Sequence, residues 1–214
     1  SPGGYLSADT FLGVTNAGDL TLAASARESA MGGIGIAGGM GLNAGLHNPA
    51  VLANLESKQY SVGLSVSPIT EKIVTPNQLT YFNSRNYAGL ENLSFGMRLV
   101  PGLVLSVGRA PFANFSYFNE YNIYGSTATS NVIGKNTVSS TGEIAGYNFT
   151  IAGLWWKWLQ LGMTLNYYQG ETKYEFTAVI SSSTVINRNW SNHNYSGYGI
   201  NLGLNFKVIN NLNI

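Results

Sequence analysis

The chain has 214 residues, enough for one domain with a sizeable core, and its 11 basic and 10 acidic side chains give a formal net charge of +1. Only 10% of the residues are charged, against about a quarter in typical soluble domains. The charges form no basic stripe, so no nucleic-acid partner is expected, and the absence of cysteine excludes disulfides, thiolate metal sites and cysteine nucleophiles.

The beginning of the chain is typical of an exported protein. It opens at Ser1 without an initiator Met or a charged-then-apolar leader, so we expect a mature bacterial envelope protein whose signal peptide has been removed. No stretch approaches 18 consecutive apolar residues, which argues against a transmembrane helix. Strands would therefore have to cross any membrane.

A glycine-rich run follows, and Gly33, Gly35 and Gly38 in it match the G-x-G-x-x-G pattern of dinucleotide-binding loops. That fold needs a strand before the glycines, a helix after them and further βαβ units, whereas only alternating strand patterns follow here. We favour a packing role, because glycine permits the close backbone approach that a confined space requires. Asn48 and Pro49 then predict the N-cap and first residue of a short helix that ends near residue 55.

From Tyr60 onward, large apolar side chains alternate with small polar ones in segments of about ten residues, the pattern of β-strands. The apolar positions are Tyr60, Val62, Leu64 and Val66; Leu93, Phe95, Met97 and Leu99; Tyr147, Phe149 and Ile151; Leu159, Leu161, Met163, Leu165 and Tyr167; and Tyr198, Ile200, Leu202, Leu204, Phe206 and Val208. Short connections are predicted at 100–102, 155–158 and 209–211, and long ones at about 111–142 and 170–194. Short turns at one end and long loops at the other are typical of outer-membrane barrels.

The opposite face of these strands consists of Gly, Ser, Asn and Thr instead of the Lys and Glu that cover a soluble sheet. This favours an apolar face turned to hydrocarbon and a polar face turned inward. Trp155, Trp156 and Trp158 crowd one short turn, and tyrosines lie near strand ends, as in interfacial girdles.

The predicted fold is therefore all-β: a transmembrane antiparallel up-and-down β-barrel with an N-terminal glycine-rich plug and a short helix. Residues 1–57 are expected to form the plug and residues 58–214 the membrane strands. About six strands and the start of another at Leu212 are fewer than the eight of the smallest single-chain barrels. We expect about half of a longer barrel, or closure with other chains.

The stretch "AASARESAMGGIGIA", followed by "NPAVLANL" and an alternating strand, resembles the N-terminal signature of FadL-type outer-membrane transporters, a superfamily that includes PorV-like proteins of a secretion pathway. The plug motif comprises Arg27, Met31, Gly32, Gly33, Asn48, Pro49 and Ala50. The resemblance implies a barrel of about fourteen strands with a hatch inside. The chain departs from the family pattern at Gly41 to Leu46 and His47, where family members commonly carry acidic residues and an aromatic, and at Val51, where Gly is common.

The resemblance implies an outer-membrane channel for hydrophobic or small molecules, gated by the plug, with the lipid bilayer and a fatty-acid-like ligand as partners. The alternative is a PorV-like barrel that binds or anchors other envelope proteins in a secretion or surface assembly, as long loops on one side suggest. A soluble β-barrel binder or enzyme is disfavoured by the low charge.

Arg98 is the charged side chain of most interest, because it falls on the predicted lumen face of an otherwise uncharged strand. There it would orient a carboxylate or, as we favour, form a salt bridge to the plug at Glu28 or Glu56. His47 and His193 are predicted outside strands with no carboxylate at metal-ligand spacing. No catalytic residue, metal or cofactor is predicted, and the chain is not expected to be an enzyme.

Overall fold

The computed structural model describes residues 19–20, 41–74, 80–124, 132–180 and 186–206. Their dominant feature is an antiparallel β-sheet of eight strands. The strands are β1 (Asp19–Leu20), β2 (Gln59–Val74), β3 (Thr80–Val100), β4 (Leu103–Asn114), β5 (Tyr117–Tyr124), β6 (Val132–Trp156), β7 (Leu159–Ile180) and β8 (Ile186–Phe206). One helical turn, α1 (Ala44–His47), and a 3-10 helix (Pro49–Asn54) precede β2. Among the described residues, no helix is long and apolar enough to cross a membrane.

The strand order confirms an all-β antiparallel meander. The main path runs β2-β3-β4-β6-β7-β8, while β1 pairs with β4 and β5 pairs with β6. Every pairing is antiparallel, and each strand of the main path pairs with the next. Over the described residues the sheet is open, with β2 and β8 at its edges.

The strands are longer than the sequence predicts. Residues 111–142 and 170–194 were expected to be long connections, but β4 continues to Asn114, β5 and β6 follow, and β7 extends to Ile180. Residues 133–143 carry few apolar side chains and show no alternating apolar face, although Tyr174 and Phe176 do alternate with charged and polar residues. This prediction is wrong because cross-strand pairing satisfies the backbone groups of both extensions. The predicted turns at 100–102 and 155–158 are present, and 209–211 lie outside the described residues.

The sheet is polar on its covered face and apolar on its exposed face, as the alternation predicts. One row of directly paired residues on the covered face, called the inner face below, contains Ser61, Ser94, Gly108, Asn148, Asn166 and Gly199. Ser94, Asn148 and Asn166 are buried. On the other face, called the outer face, Leu64, Leu202 and Tyr198 are at least 78% exposed.

The 3-10 helix is capped as its sequence predicts. Asn48 has extended backbone angles, and its side-chain oxygen accepts a hydrogen bond from the Ala50 N–H at 3.1 Å. Pro49 is the first helical residue, where its missing N–H costs nothing. Leu42, Leu52 and Leu55 around this helix pack in one buried cluster with Val104 and Ala152 of the inner face. Residues 41–58, called the N-terminal segment below, thus lie against the sheet.

Candidate functional site: two faces of one sheet

Two inner-face glycines let the N-terminal segment approach the sheet backbone. Gly162 of β7 and Gly203 of β8 are directly paired, and Pro49 and Ala50 lie against both of them. A Cβ atom at Gly203 would lie 2.8 Å from the Ala50 nitrogen, closer than real side chains pack. Beside this contact, Asn48 Nδ2 donates a hydrogen bond to the Leu204 carbonyl at 3.1 Å.

Three amide side chains attach the end of the 3-10 helix to β7 and β8. Gln160 is only 1% exposed. Its Nε2 donates to Asn54 Oδ1 at 2.6 Å, and its Oε1 accepts from Asn54 Nδ2 at 3.3 Å and from Asn205 Nδ2 at 2.7 Å. Because both polar atoms of this buried amide are satisfied, the network fixes the position of the segment along the strands.

The predicted plug motif is only partly described by the structure. Asn48, Pro49 and Ala50 lie together on the inner face. Arg27, Met31, Gly32 and Gly33 lie outside the described residues.

Arg98 falls on the same face of β3 as the inward residues Asn92 and Ser94. It lies near the end of the strand, however, and is exposed. Glu56, one of its two predicted partners, is also exposed, and the other, Glu28, lies outside the described residues. The described ion pairs do not include Arg98. A role of Arg98 in orienting a carboxylate stays a prediction.

The two histidines occupy different environments. His47 ends α1 and is partly buried. His193 lies in β8 opposite Thr172, which corrects its prediction as a loop residue, since the polar extension of the β7–β8 hairpin contains it. Groups of three or more metal-ligating side chains do not occur among the described residues.

The outer face carries an apolar band between two aromatic borders. One border is the tyrosine row, Tyr147, Tyr167 and Tyr198, which are directly paired across β6, β7 and β8. The other is the tryptophan cluster, formed by Trp155, Trp156, Trp158 and Phe206, with successive ring centroids 6.1, 5.7 and 6.0 Å apart. Between them the outward side chains are apolar, among them Phe149, Ile151, Met163, Leu165, Ile200 and Leu202.

The span of this band matches a membrane crossing. Along β7 it runs from Leu159 to Tyr167, nine residues, and transmembrane strands need about 9–11 residues at a tilt of about 45°. At a rise of about 3.3 Å per residue and a tilt of about 40°, the two borders are about 20 Å apart along the perpendicular to the bilayer.

Charged groups pair at and beyond the tyrosine row. The described ion pairs are Arg109–Glu143, Lys135–Glu120, Lys173–Glu171 and Arg188–Glu175. The hydrogen bond from Arg188 lowers the pKa of Glu175 below its ordinary value, because it stabilises the carboxylate form. These pairs are partly or largely exposed, and exposed charges of both signs are typical of a surface in water.

Sequence reasoning missed the residues that hold the segment in place. Gln160, Gly162 and Gly203 were treated only as polar or small positions of alternating strands. A signal was present, since "LQLGM" and "NLGLN" place a glycine after a leucine in consecutive strands. The pairing register is what shows that these two glycines face each other.

The comparison with protein families corrects the resemblance drawn from the N-terminal motif. The family model BamG matches residues 5–213. No curated protein and no solved structure matches the chain. Membership of the FadL-type superfamily and its transport function are therefore wrong predictions, because the match to BamG extends over nearly the whole chain whereas the motif covered only its beginning. The Asn-Pro-Ala cap serves a close approach of backbone to the sheet at Gly162 and Gly203, a need that is not particular to transporters. The chain belongs to the BamG family.

Proposed function

We propose that this chain is an outer-membrane component of the machinery that assembles outer-membrane proteins, the Bam complex. The match of the BamG family model to residues 5–213 is the observation that carries the proposal. It agrees with the alternative interpretation of the sequence, a membrane barrel that binds other envelope proteins. The role is one of binding and positioning and requires no catalytic centre.

The outer face supports a location in the bilayer. Side chains such as Tyr198, at 87% exposed, and Leu202, at 79%, would leave a large contiguous apolar surface in water. Soluble monomers rarely expose an apolar patch of more than a few hundred Å². Hydrocarbon would cover the band, and the aromatic borders would lie at the two interfaces.

The inner face supports a plug that stays in place. The N-terminal segment is held by the cap of the 3-10 helix, the buried leucine cluster and the amide network around Gln160. Opening would expose the backbone contact at Gly162 and Gly203 and break several hydrogen bonds at once. We therefore propose a closed membrane component in which residues 41–58 support the strands, within a barrel completed beyond the described sheet.

The test is purification of the tagged full chain from bacterial envelopes in a mild non-ionic detergent. We expect the chain to sediment with the outer membrane and to co-purify in fixed stoichiometry with the barrel subunit that inserts outer-membrane proteins. Depletion of the chain is expected to slow the conversion of newly exported barrels to their heat-resistant folded form.

Two results would overturn the proposal. The first is a chain that purifies from the outer membrane alone, while depletion leaves barrel assembly at its normal rate. The second is a chain that remains with soluble proteins after lysis. The first outcome refutes only the assembly role, whereas the second also refutes the membrane location.

A further inference from the structure

Two depressions lie on the outer face of strands β6, β7 and β8. The first, called the tyrosine cleft, has a volume of about 610 Å³ and lies at the tyrosine row. Its lining includes Arg109, Glu143, Tyr147, Tyr167, Glu171 and Asn194. The second, called the glycine groove, has a volume of about 790 Å³ and lies within the apolar band. Its lining includes Ile151, Gly153, Leu161, Met163, Leu202 and Leu204.

The tyrosine cleft contains both signs of charge. Arg109 is directly paired with Tyr147 in the sheet, and its guanidinium binds the Glu143 carboxylate at 2.5 Å. A guanidinium has five N–H donors, so others remain to bind phosphate oxygens. Glu171 places a second carboxylate in the same cleft, with Lys173 3.3 Å away at its edge. The two cations, Arg109 and Lys173, balance the two carboxylates, and this balance of charge suits a zwitterion better than an anion.

The tyrosine faces add a second contact for a cation. The Tyr147 and Tyr167 rings lie 6.4 Å apart, and the Tyr167 and Tyr198 rings 5.1 Å apart. Aromatic faces attract ammonium groups within about 6 Å of the ring centre. An ammonium group in the cleft would therefore meet aromatic faces and carboxylates together, while a phosphate would be bound by Arg109.

The glycine groove is a gap in a row of leucines on the outer face, left where Gly153 has no side chain. Gly153 is paired with Leu103 on one side and Leu161 on the other, and Leu204 continues the row. The nearest atom to a Cβ placed on Gly153 would be the Gly102 carbonyl oxygen at 3.4 Å, so the site has room for a side chain. An acyl chain of a lipid would fill the same space.

The distance between the two depressions is within the reach of one phospholipid acyl chain. Six residues separate Tyr147 from Gly153 on β6, which is about 20 Å along the strand at a rise of about 3.3 Å per residue. With a tilt of about 40°, this is a depth of about 15 Å, which places Gly153 nearer the tryptophan cluster than the tyrosine row. The acyl chains of one leaflet extend about 15 Å, half of a hydrocarbon core of about 30 Å. A headgroup in the cleft thus places the end of its acyl chain at the groove.

We propose that the tyrosine cleft and the glycine groove together bind one zwitterionic aminophospholipid, with its phosphate on Arg109, its ammonium group among Glu171 and the tyrosines, and an acyl chain over Gly153. The site lies on the surface turned to the bilayer. This inference rests on the proposed membrane location and does not depend on the assembly role.

The test is native mass spectrometry of the full chain in a non-ionic detergent supplemented with equal amounts of phosphatidylethanolamine and phosphatidylglycerol. We expect the wild-type chain to retain one phosphatidylethanolamine in preference to phosphatidylglycerol. Arg109→Ala should lower this retention about tenfold, since bonds to charged groups are the strongest in such sites, and Arg109→Lys should lower it less. Gly153→Leu, which fills the groove, should lower retention while leaving the preference between headgroups unchanged.

The matched control is Arg188→Ala, which removes another exposed arginine of an ion pair farther along the sheet and should leave lipid retention unchanged. Equal retention of both lipids, a preference for phosphatidylglycerol, or retention that Arg109→Ala and Gly153→Leu leave unaltered would each overturn the inference. A chain embedded in the outer membrane without a lipid preference refutes this inference alone. A chain found with soluble proteins refutes the membrane location on which it rests.

Discussion

Alanine at Gly203 should loosen the N-terminal segment from the inner face. The new Cβ would lie 2.8 Å from both the Ala50 nitrogen and Pro49 Cδ, and it would also collide with the side-chain oxygen of Asn48. The first two are backbone or ring atoms that cannot rotate away, so the 3-10 helix itself has to move. Gly203→Ala therefore tests whether close backbone packing holds the segment.

The expected cost follows from the contacts that the shift disturbs. Overpacking costs about 1–3 kcal/mol. Displacing Asn48 also weakens its hydrogen bond to the Leu204 carbonyl, a loss of about 0.5–1.5 kcal/mol. Alanine also restricts the unfolded chain more than glycine does, which stabilises the fold by about 0.4–1 kcal/mol and offsets part of this cost. A net loss of about 0.5–4 kcal/mol would increase the open population about twofold to several hundredfold.

Limited proteolysis measures that population. Lys58 is exposed and is the last residue of the segment, so trypsin cleavage there should quicken when the segment opens. Gly197→Ala is the matched control in the same strand, since a Cβ there has no atom within 4 Å among the described residues. Cleavage of the Gly203→Ala chain at the rate of the Gly197→Ala chain, with equal resistance to urea, would refute the packing argument.

Three further perturbations test other parts of the sheet. Gln160→Ala should destabilise the fold by about 1–3 kcal/mol, since it removes the hydrogen bonds that the buried amide of Gln160 makes to Asn54 and Asn205; urea unfolding measures this. Arg188→Ala should raise the depressed pKa of Glu175 toward its ordinary value in an NMR titration. In the wild-type chain the lowered pKa stabilises the fold at pH values above the pKa of Glu175 in the unfolded chain, and this stabilisation should be lost as the pH falls through the pKa in the folded chain. In bilayers with brominated acyl chains, the lipid should quench the fluorescence of the tryptophan cluster. Trp190 lies far beyond the tyrosine row and should be quenched only by acrylamide in the aqueous phase. Equal quenching of both by the lipid would contradict the proposed membrane location of the apolar band.

The alternating strands and their faces could be predicted from the sequence because each face has one chemistry. In β7, Leu161, Met163 and Leu165 alternate with residues that are small or polar, and this period needs no knowledge of the partner strand. The scarcity of charge then indicates that the apolar face, and not the polar one, is exposed. The cap at Asn48 was also predictable, since it depends on neighbours in sequence.

The hairpin extensions and the inner-face contact could not be predicted in the same way. Along residues 133–143 both faces carry mostly small or polar side chains, so this part of β6 is defined by its ladder with β5 and β7 instead of by a pattern. The contact at Gly162 and Gly203 depends on a register between two strands and on a third segment more than a hundred residues earlier. Short-range patterns do not contain such information. The family assignment failed for a related reason, because a motif of capping residues and glycines reports local packing and not a partner.

The placement of charge gives an independent boundary for the apolar band. All four described ion pairs lie at or beyond the tyrosine row, and Arg109 is the member that stands in the row itself. Lys157, by contrast, lies in the turn of the tryptophan cluster and is exposed. Lysine or arginine at the middle of a bilayer costs about 2–4 kcal/mol on the lipid face of a barrel, and almost nothing near the interfaces. A sheet in water would gain nothing from keeping nine-residue stretches of its exposed face free of charge and placing ion pairs only at or beyond the tyrosine row. This distribution of charge therefore favours hydrocarbon around the apolar band and water around the extended hairpins.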